Sequence, residues 1–150
     1  MRYVLAIDPG GESGKGGETG IALGQYSPSV PYQLVDYWAI PAGVDAFMIW
    51  FKRHTQEVEK STVICENFIT YKANVDFSPL KLIGAVQALI PDAILQAPQK
   101  RLIITPDQLK LLDAYIPGGH HRDVTEAIRN GVAWLVKDQK HMPTMKVVLT

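Results

Sequence analysis

Cysteine is almost missing. Cys65 stands alone among 150 residues, which excludes an intrachain disulfide framework and suits a reducing compartment. Net charge is missing too, because 15 Lys and Arg balance 15 Asp and Glu. That balance counts against a protein that holds nucleic acid by bulk positive charge, but it leaves room for a local basic groove. Long hydrophobic runs are also absent. The longest, residues 46–51, has six residues, far short of the roughly 20 a membrane helix needs. The apolar start over residues 3–7 is ended by Asp8 and is too short for the core of a signal peptide. No linker, repeat or low-complexity block divides the chain. With 47% hydrophobic and 20% charged residues, one globular domain over 1–150 is expected, soluble and cytoplasmic, with residues 137–150 as a basic C-terminal tail, either mobile or an added strand.

What is present is an alternation of strand and helix signals. Residues 3–7, 20–26 and 32–40 are rich in strand formers and suggest an antiparallel meander. Val44, Phe47, Met48 and Phe51 have helical spacing. Residues 61–65 read as a fourth strand that ends at Glu66. Ser78-Pro79 opens a second helix with an N-cap and a proline at the first position. Its expected apolar face is Leu80, Ile83, Gly84, Gln87 and Ile90, with Pro91 at its end. Residues 101–104 read as a fifth strand. Thr105-Pro-Asp-Gln108 opens a third helix with capping-box spacing, which Gly118-Gly119 would break. A last helix is expected over 123–137, with Ala127, Ile128, Gly131 and Leu135 on one side. The pattern is α/β: a mixed five-stranded sheet, three antiparallel strands then parallel ones, flanked by helices.

Four acids stand out. Asp8 and Glu66 each follow an apolar strand run, where an acid is costly to bury without a partner. In open α/β sheets functional groups gather at strand ends. Asp123 and Glu126 lie three apart and share one helix face. Converging carboxylates repel one another, and Mg²⁺ with its preference for oxygen ligands removes that penalty. A four-acid cluster suits two metal ions about 4 Å apart, which activate a water and stabilise the leaving oxygen in phosphodiester hydrolysis. Taken singly, Asp8 before Pro9-Gly10 reads equally as a turn residue, Glu66 as a strand-edge acid, and the helix acids as partners of the helix dipole.

Val4-Leu-Ala-Ile-Asp8-Pro-Gly10 with Thr19-Gly20 resembles the opening of the RuvC-like Holliday-junction resolvases, which have a ribonuclease-H-like fold. Ile64-Cys-Glu66 is similar to their second acidic strand, and Ser78-Pro-Leu-Lys-Leu-Ile-Gly84 to their serine-then-lysine helix start. Thr105-Pro-Asp-Gln-Leu-Lys110 is similar to a strand-to-helix segment that carries a lysine. His120-His-Arg-Asp123-Val-Thr-Glu126-Ala-Ile is similar to their last helix. The resemblance runs from residue 1 to about 136. It implies a homodimeric endonuclease, dependent on two Mg²⁺ or Mn²⁺ per site, that nicks four-way and other branched DNA symmetrically. By resemblance Asp8, Glu66, Asp123 and Glu126 take the metal-ligand positions, and Lys110 a basic position near the scissile phosphate. The alternatives are a ribonuclease-H-like nuclease on an RNA–DNA hybrid, flap or structured RNA, and a non-catalytic nucleic-acid-binding module. A bacterial source and a bacteriophage source fit equally.

The chain departs from that pattern in places. Eight residues, four of them glycine, separate Gly10 from Thr19, where the family has about three. Glu126 stands where the family usually has Asp. Phe68 lies two residues after the glutamate rather than three, so alternation aims it at the opposite face; Tyr71 is the alternative aromatic for stacking at an opened junction. Tyr71, Lys72, Lys81 and Arg122 are the candidate nucleic-acid contacts. The glycine-rich loop is not a Walker motif, since Gly16 follows Lys15 where Ser or Thr should hold Mg²⁺, and no nucleotide cofactor is expected. His120-His121 lacks the ligand spacing of a zinc site; proton transfer or a phosphate contact is the functional alternative for the pair.

Overall fold

The computed structural model describes residues 1–10, 17–67, 78–117 and 121–150. Their strands are β1 (Arg2–Asp8), β2 (Glu18–Tyr26), β3 (Gln33–Pro41), β4 (Ser61–Glu66) and β5 (Ile94–Gln96). Their α-helices are α1 (Val44–Arg53), α2 (Thr55–Glu59), α3 (Ser78–Leu89), α4 (Pro106–Leu111), α5 (Arg122–Lys137) and α6 (Met142–Val148), with a 3₁₀ helix at Pro98–Ile103.

The five strands form one mixed sheet in the order β3-β2-β1-β4-β5. β1 pairs antiparallel with β2 and parallel with β4, and β4 pairs parallel with β5. Helices cover both faces, so the central strands are buried on both sides and read as continuous apolar runs. Period-two alternation divides β1 between two cores. Val4 and Ala6 join Ile64 beneath α5. Leu5 and Ile7 join Val63 and Cys65 beneath α1 and α3, against Phe47, Trp50, Leu82 and Val86. Each fully buried aliphatic side chain in these cores contributes roughly 1.5–3 kcal/mol.

The expected strand over 101–104 is not one. β5 lies earlier, at Ile94–Gln96, in register with β4 from Ile64↔Ile94 to Glu66↔Gln96. Pro98 then fixes φ at the start of the 3₁₀ turn. Leu102 and Ile103 point outward and only Ile104 is fully buried, so their β-propensity yields to position. The buried face of α3 is Pro79, Leu82, Ile83 and Val86, an i, i+3, i+4, i+7 stripe. Leu80, Gly84 and Gln87 face solvent instead. The capping box at Thr105 and Gln108 forms as expected. α4 ends at Leu111 because Asp113 adopts a left-handed φ of 53°, so the helix stops well before Gly118-Gly119.

The C-terminal segment is helical, neither tail nor strand. Pro143 sits in the first turn of α6, and buried Thr144 accepts a hydrogen bond from the Tyr32 backbone N–H at 3.0 Å. Val148 is buried in the core beneath α5. No helix among the described residues is long and apolar enough to cross a membrane.

Candidate active site

The parallel β1–β4 register runs to Ile7↔Cys65, so Asp8 and Glu66 come next on neighbouring strands. Both share the parity of Ala6 and Ile64, which face α5. The sheet therefore aims both carboxylates at the first turns of α5, where Asp123 and Glu126 lie. Asp8 is 8% exposed and Glu66 is 9% exposed.

The close approach of α5 depends on Gly20, which pairs with Asp8 across β1 and β2. A Cβ at Gly20 would lie 2.1 Å from the Asp123 carbonyl oxygen, so only glycine lets the α5 backbone rest on β2. Gly20 thus lets α5 bring Asp123 to the sheet.

The four acids fall into two pairs. The Asp8 and Asp123 carboxyls are in hydrogen-bond contact. Burial, then the charges of Glu66 and Asp123, push the Asp8 carboxyl well above the usual carboxylate range. Burial also raises Asp123, against the lowering effect of its bond to Asp8. The two carboxyls therefore titrate as a pair, each holding a proton more readily than a free carboxyl.

Glu66 and Glu126 are joined by Arg101. Its guanidinium reaches Glu66 Oε1 through Nη1 and lies 2.5 Å from Glu126 Oε2 through Nε. The Nε–H is not aligned on that oxygen, so this second contact is an ion pair without a hydrogen bond. Burial alone would lower the Arg101 pKa, but the hydrogen bond and charge of Glu66, followed by Glu126 and Asp8, outweigh it and raise it. Arg129 reinforces Glu126 with Nη1 at 3.1 Å from both carboxylate oxygens, and its Nε donates to the Ile104 carbonyl at 2.6 Å. Asn130 Nδ2 donates to Glu66 Oε2 at 2.6 Å.

The base that bridges the acids is Arg101. Among the described residues Lys110 meets Asp107 at 3.3 Å and the Tyr115 ring at 4.9 Å, and none of the four acids. Its helix α4 packs beside α6, which follows the C-terminal end of α5, whereas the acids gather at the N-terminal end. Arg101 sits in the turn directly after β5, at the end of the sheet where β1, β4 and β5 all finish.

Arg122 is exposed at the first position of α5, beside Asp123. Lys81 is exposed on α3, across the sheet from α5, where it lines a hollow of about 350 Å³ with Asp45 and Ser78. Tyr71, Lys72, Phe68 and His120 lie outside the described residues, as does most of the glycine-rich loop. His121 is the residue before α5, with its ring 6.4 Å from that of Tyr37.

The donor set suits a hard divalent cation, because all four side chains offer oxygen. Among the described residues no three His, Cys, Asp or Glu side chains are grouped as a ready metal site. Glu66 and Glu126 are turned to Arg101 instead.

Solved structures show where this architecture occurs. Thermus thermophilus RuvC in complex with a Holliday junction substrate superposes with a TM-score of 0.70 at 12% identity, over 92% of this chain and 96% of that one. The fold is RuvC-like. The fowlpox virus Holliday junction resolvase matches with a TM-score of 0.55 at 12% identity, over 89% of this chain and 96% of that one. Its complex with substrate junction DNA gives 0.60 at 11% identity over the same shares. No family model and no curated protein matches the sequence. The RuvC-like fold accounts for the mixed sheet with a helix laid across its strand ends.

Proposed function

We propose that this protein is a divalent-metal-dependent endonuclease that resolves four-way and other branched DNA junctions by paired symmetric nicks. The observation that carries the reading is the convergence of Asp8, Glu66, Asp123 and Glu126 from two strands and one helix at a single corner of a RuvC-like fold. The solved complexes of Thermus RuvC and of the fowlpox resolvase hold junction DNA, which favours branched DNA over other phosphodiester substrates.

Asp8, Glu66, Asp123 and Glu126 would hold Mg²⁺ or Mn²⁺, two ions per site. Bound there, the cations supply an acidified water and charge neutralisation at the departing oxygen. The protein's own groups do the rest. Asp8 and Glu66 are fixed at the ends of adjacent strands, so their separation is set by the sheet. Positive charge in the corner would favour the ionised form of Asp8. Arg101 and Arg129 offset the remaining negative charge, and exposed Arg122 meets the DNA backbone. Setting the four acids aside leaves an excess of four positive charges per chain, which turns a neutral composition into a DNA-compatible one. A homodimer matches the two-fold symmetry of a junction. The solvent-facing side of α3, with Leu80 and Gly84, is the proposed contact.

The test is incubation of the purified chain with a synthetic four-way junction. Cutting is expected in Mg²⁺ or Mn²⁺. Asp8→Asn and Glu66→Gln are expected to bind the junction and leave it whole. Intact junctions in both metals would remove the reading.

A further inference from the structure

Glu66 is held from behind by two buried amides. Asn130 is fully buried on α5, and Gln96 is 2% exposed at the end of β5. Gln96 Nε2 donates to the Asn130 backbone carbonyl at 3.0 Å and to Asn130 Oδ1 at 3.1 Å. Asn130 Nδ2 donates in turn to Glu66 Oε2 at 2.6 Å.

A primary amide has one accepting end and one donating end. Gln96 occupies the accepting end of Asn130, so the Asn130 NH₂ must face Glu66. An oxygen that meets that NH₂ must accept. The chain of bonds therefore runs one way, from Gln96 through Asn130 to Glu66 Oε2. Reversing either amide would set two donors or two acceptors against each other in the interior.

Stability of the fold does not require this arrangement. The Gln96 side-chain oxygen is buried with no hydrogen-bond partner among the described residues, and such an orphan destabilises the fold. Apolar residues of similar volume at positions 96 and 130 would pack β5 against α5 without it. What the amides supply is direction: they fix Oε2 and leave Oε1 as the Glu66 oxygen that faces the corner, where Arg101 meets it.

We infer that Asn130 and Gln96 are positioning residues that hold Glu66 oriented for a divalent cation, Gln96 acting through Asn130. This rests on the reading of Glu66 as a metal ligand. Groups that orient a ligand from behind are commonly worth about 10–100-fold in metal affinity.

The experiment is Mn²⁺ titration calorimetry on the full chain without DNA, on wild type, Asn130→Ala, Gln96→Leu and the double variant, each shown to be folded by its melting curve. Gln96→Leu keeps the interior filled and removes side-chain hydrogen bonds to Asn130, none to Glu66 itself. Both single variants are expected to bind Mn²⁺ at least about tenfold more weakly than wild type. The double variant is expected to be no weaker than Asn130→Ala, because the two amides act in series. A structural role alone would change melting temperatures and leave the Mn²⁺ affinities together. Affinities of both single variants within about twofold of wild type would overturn the inference, as would losses that add in the double variant. A wild-type chain that binds no Mn²⁺ would instead overturn the metal reading on which the inference rests.

Discussion

Replacing Arg101 with glutamine should expose how the acid corner is balanced without metal. The guanidinium bridges Glu66 and Glu126, which come from different elements, and the three side chains are 22%, 11% and 13% exposed. Exposed ion pairs contribute about 0–1 kcal/mol, while removing one partner of a fully buried pair costs about 3–5 kcal/mol. Arg101 lies between these limits. Glu126 keeps Arg129 and Glu66 keeps Asn130, which softens the loss. A destabilisation of about 2–4 kcal/mol is expected, or roughly 4–16 °C in Tm for a chain of this size. Divalent metal should reverse the order of effects. Glu66 and Glu126 are released from the guanidinium in the variant, so saturating Mg²⁺ should raise its Tm by more than it raises that of wild type. Thermal melts in EDTA and in Mg²⁺ measure both effects. If the variant melts within about a degree of wild type in EDTA, or if Mg²⁺ raises both proteins equally, Arg101 is not the internal counter-ion of the site.

Three further outcomes follow from the same geometry. Asp8 binds its proton more tightly in the folded chain than in the unfolded one, so without metal the fold should lose stability as pH rises from about 3.9 upward through the raised folded value; Asp8→Asn should remove that dependence and raise Tm at neutral pH in EDTA, and an unchanged melting profile from acid to neutral pH would contradict it. Gly20→Ala should push α5 off β2, since its Cβ has no room beside the Asp123 carbonyl; a loss of about 1–3 kcal/mol in chemical denaturation, together with weaker Mn²⁺ binding, is expected, and wild-type values in both would refute the role given to Gly20. On α3, a Cβ at Gly84 meets nothing within 4 Å, so Gly84→Arg should leave the monomer's stability unchanged but break the dimer; light scattering that gives one monomeric mass for wild type would remove α3 as a contact.

The parts of the site that obey periodicity are legible in the sequence. Asp8 and Glu66 end apolar strand runs, and parallel register alone brings them side by side. Asp123 and Glu126 are three apart on a helix whose buried side, with Ala127, Ile128 and Leu135, is equally plain. What escapes the sequence is what tertiary position decides. Leu102-Ile103-Ile104 has strand propensity, yet Pro98 and the short β5 put Arg101 on a turn at the acid corner. Lys110 has a suitable local motif, but α4 packs toward the far end of α5. Asn130 and Gln96 carry no periodic signal, because a polar residue in a helix or strand normally reads as solvent-facing. Only their complete burial marks them. Gly20 is readable as a strand glycine, whereas its reason, the backbone of Asp123 lying against it, belongs to the assembled fold.

The most direct test of the central claim is cleavage of a synthetic four-way junction labelled on each strand, with Mg²⁺ and with EDTA. Symmetric nicks in two opposing strands are expected in Mg²⁺, none in EDTA, and none with Glu66→Gln despite retained junction binding. Junctions that stay whole in Mg²⁺ and Mn²⁺, or that are cut equally well by Glu66→Gln, would contradict it.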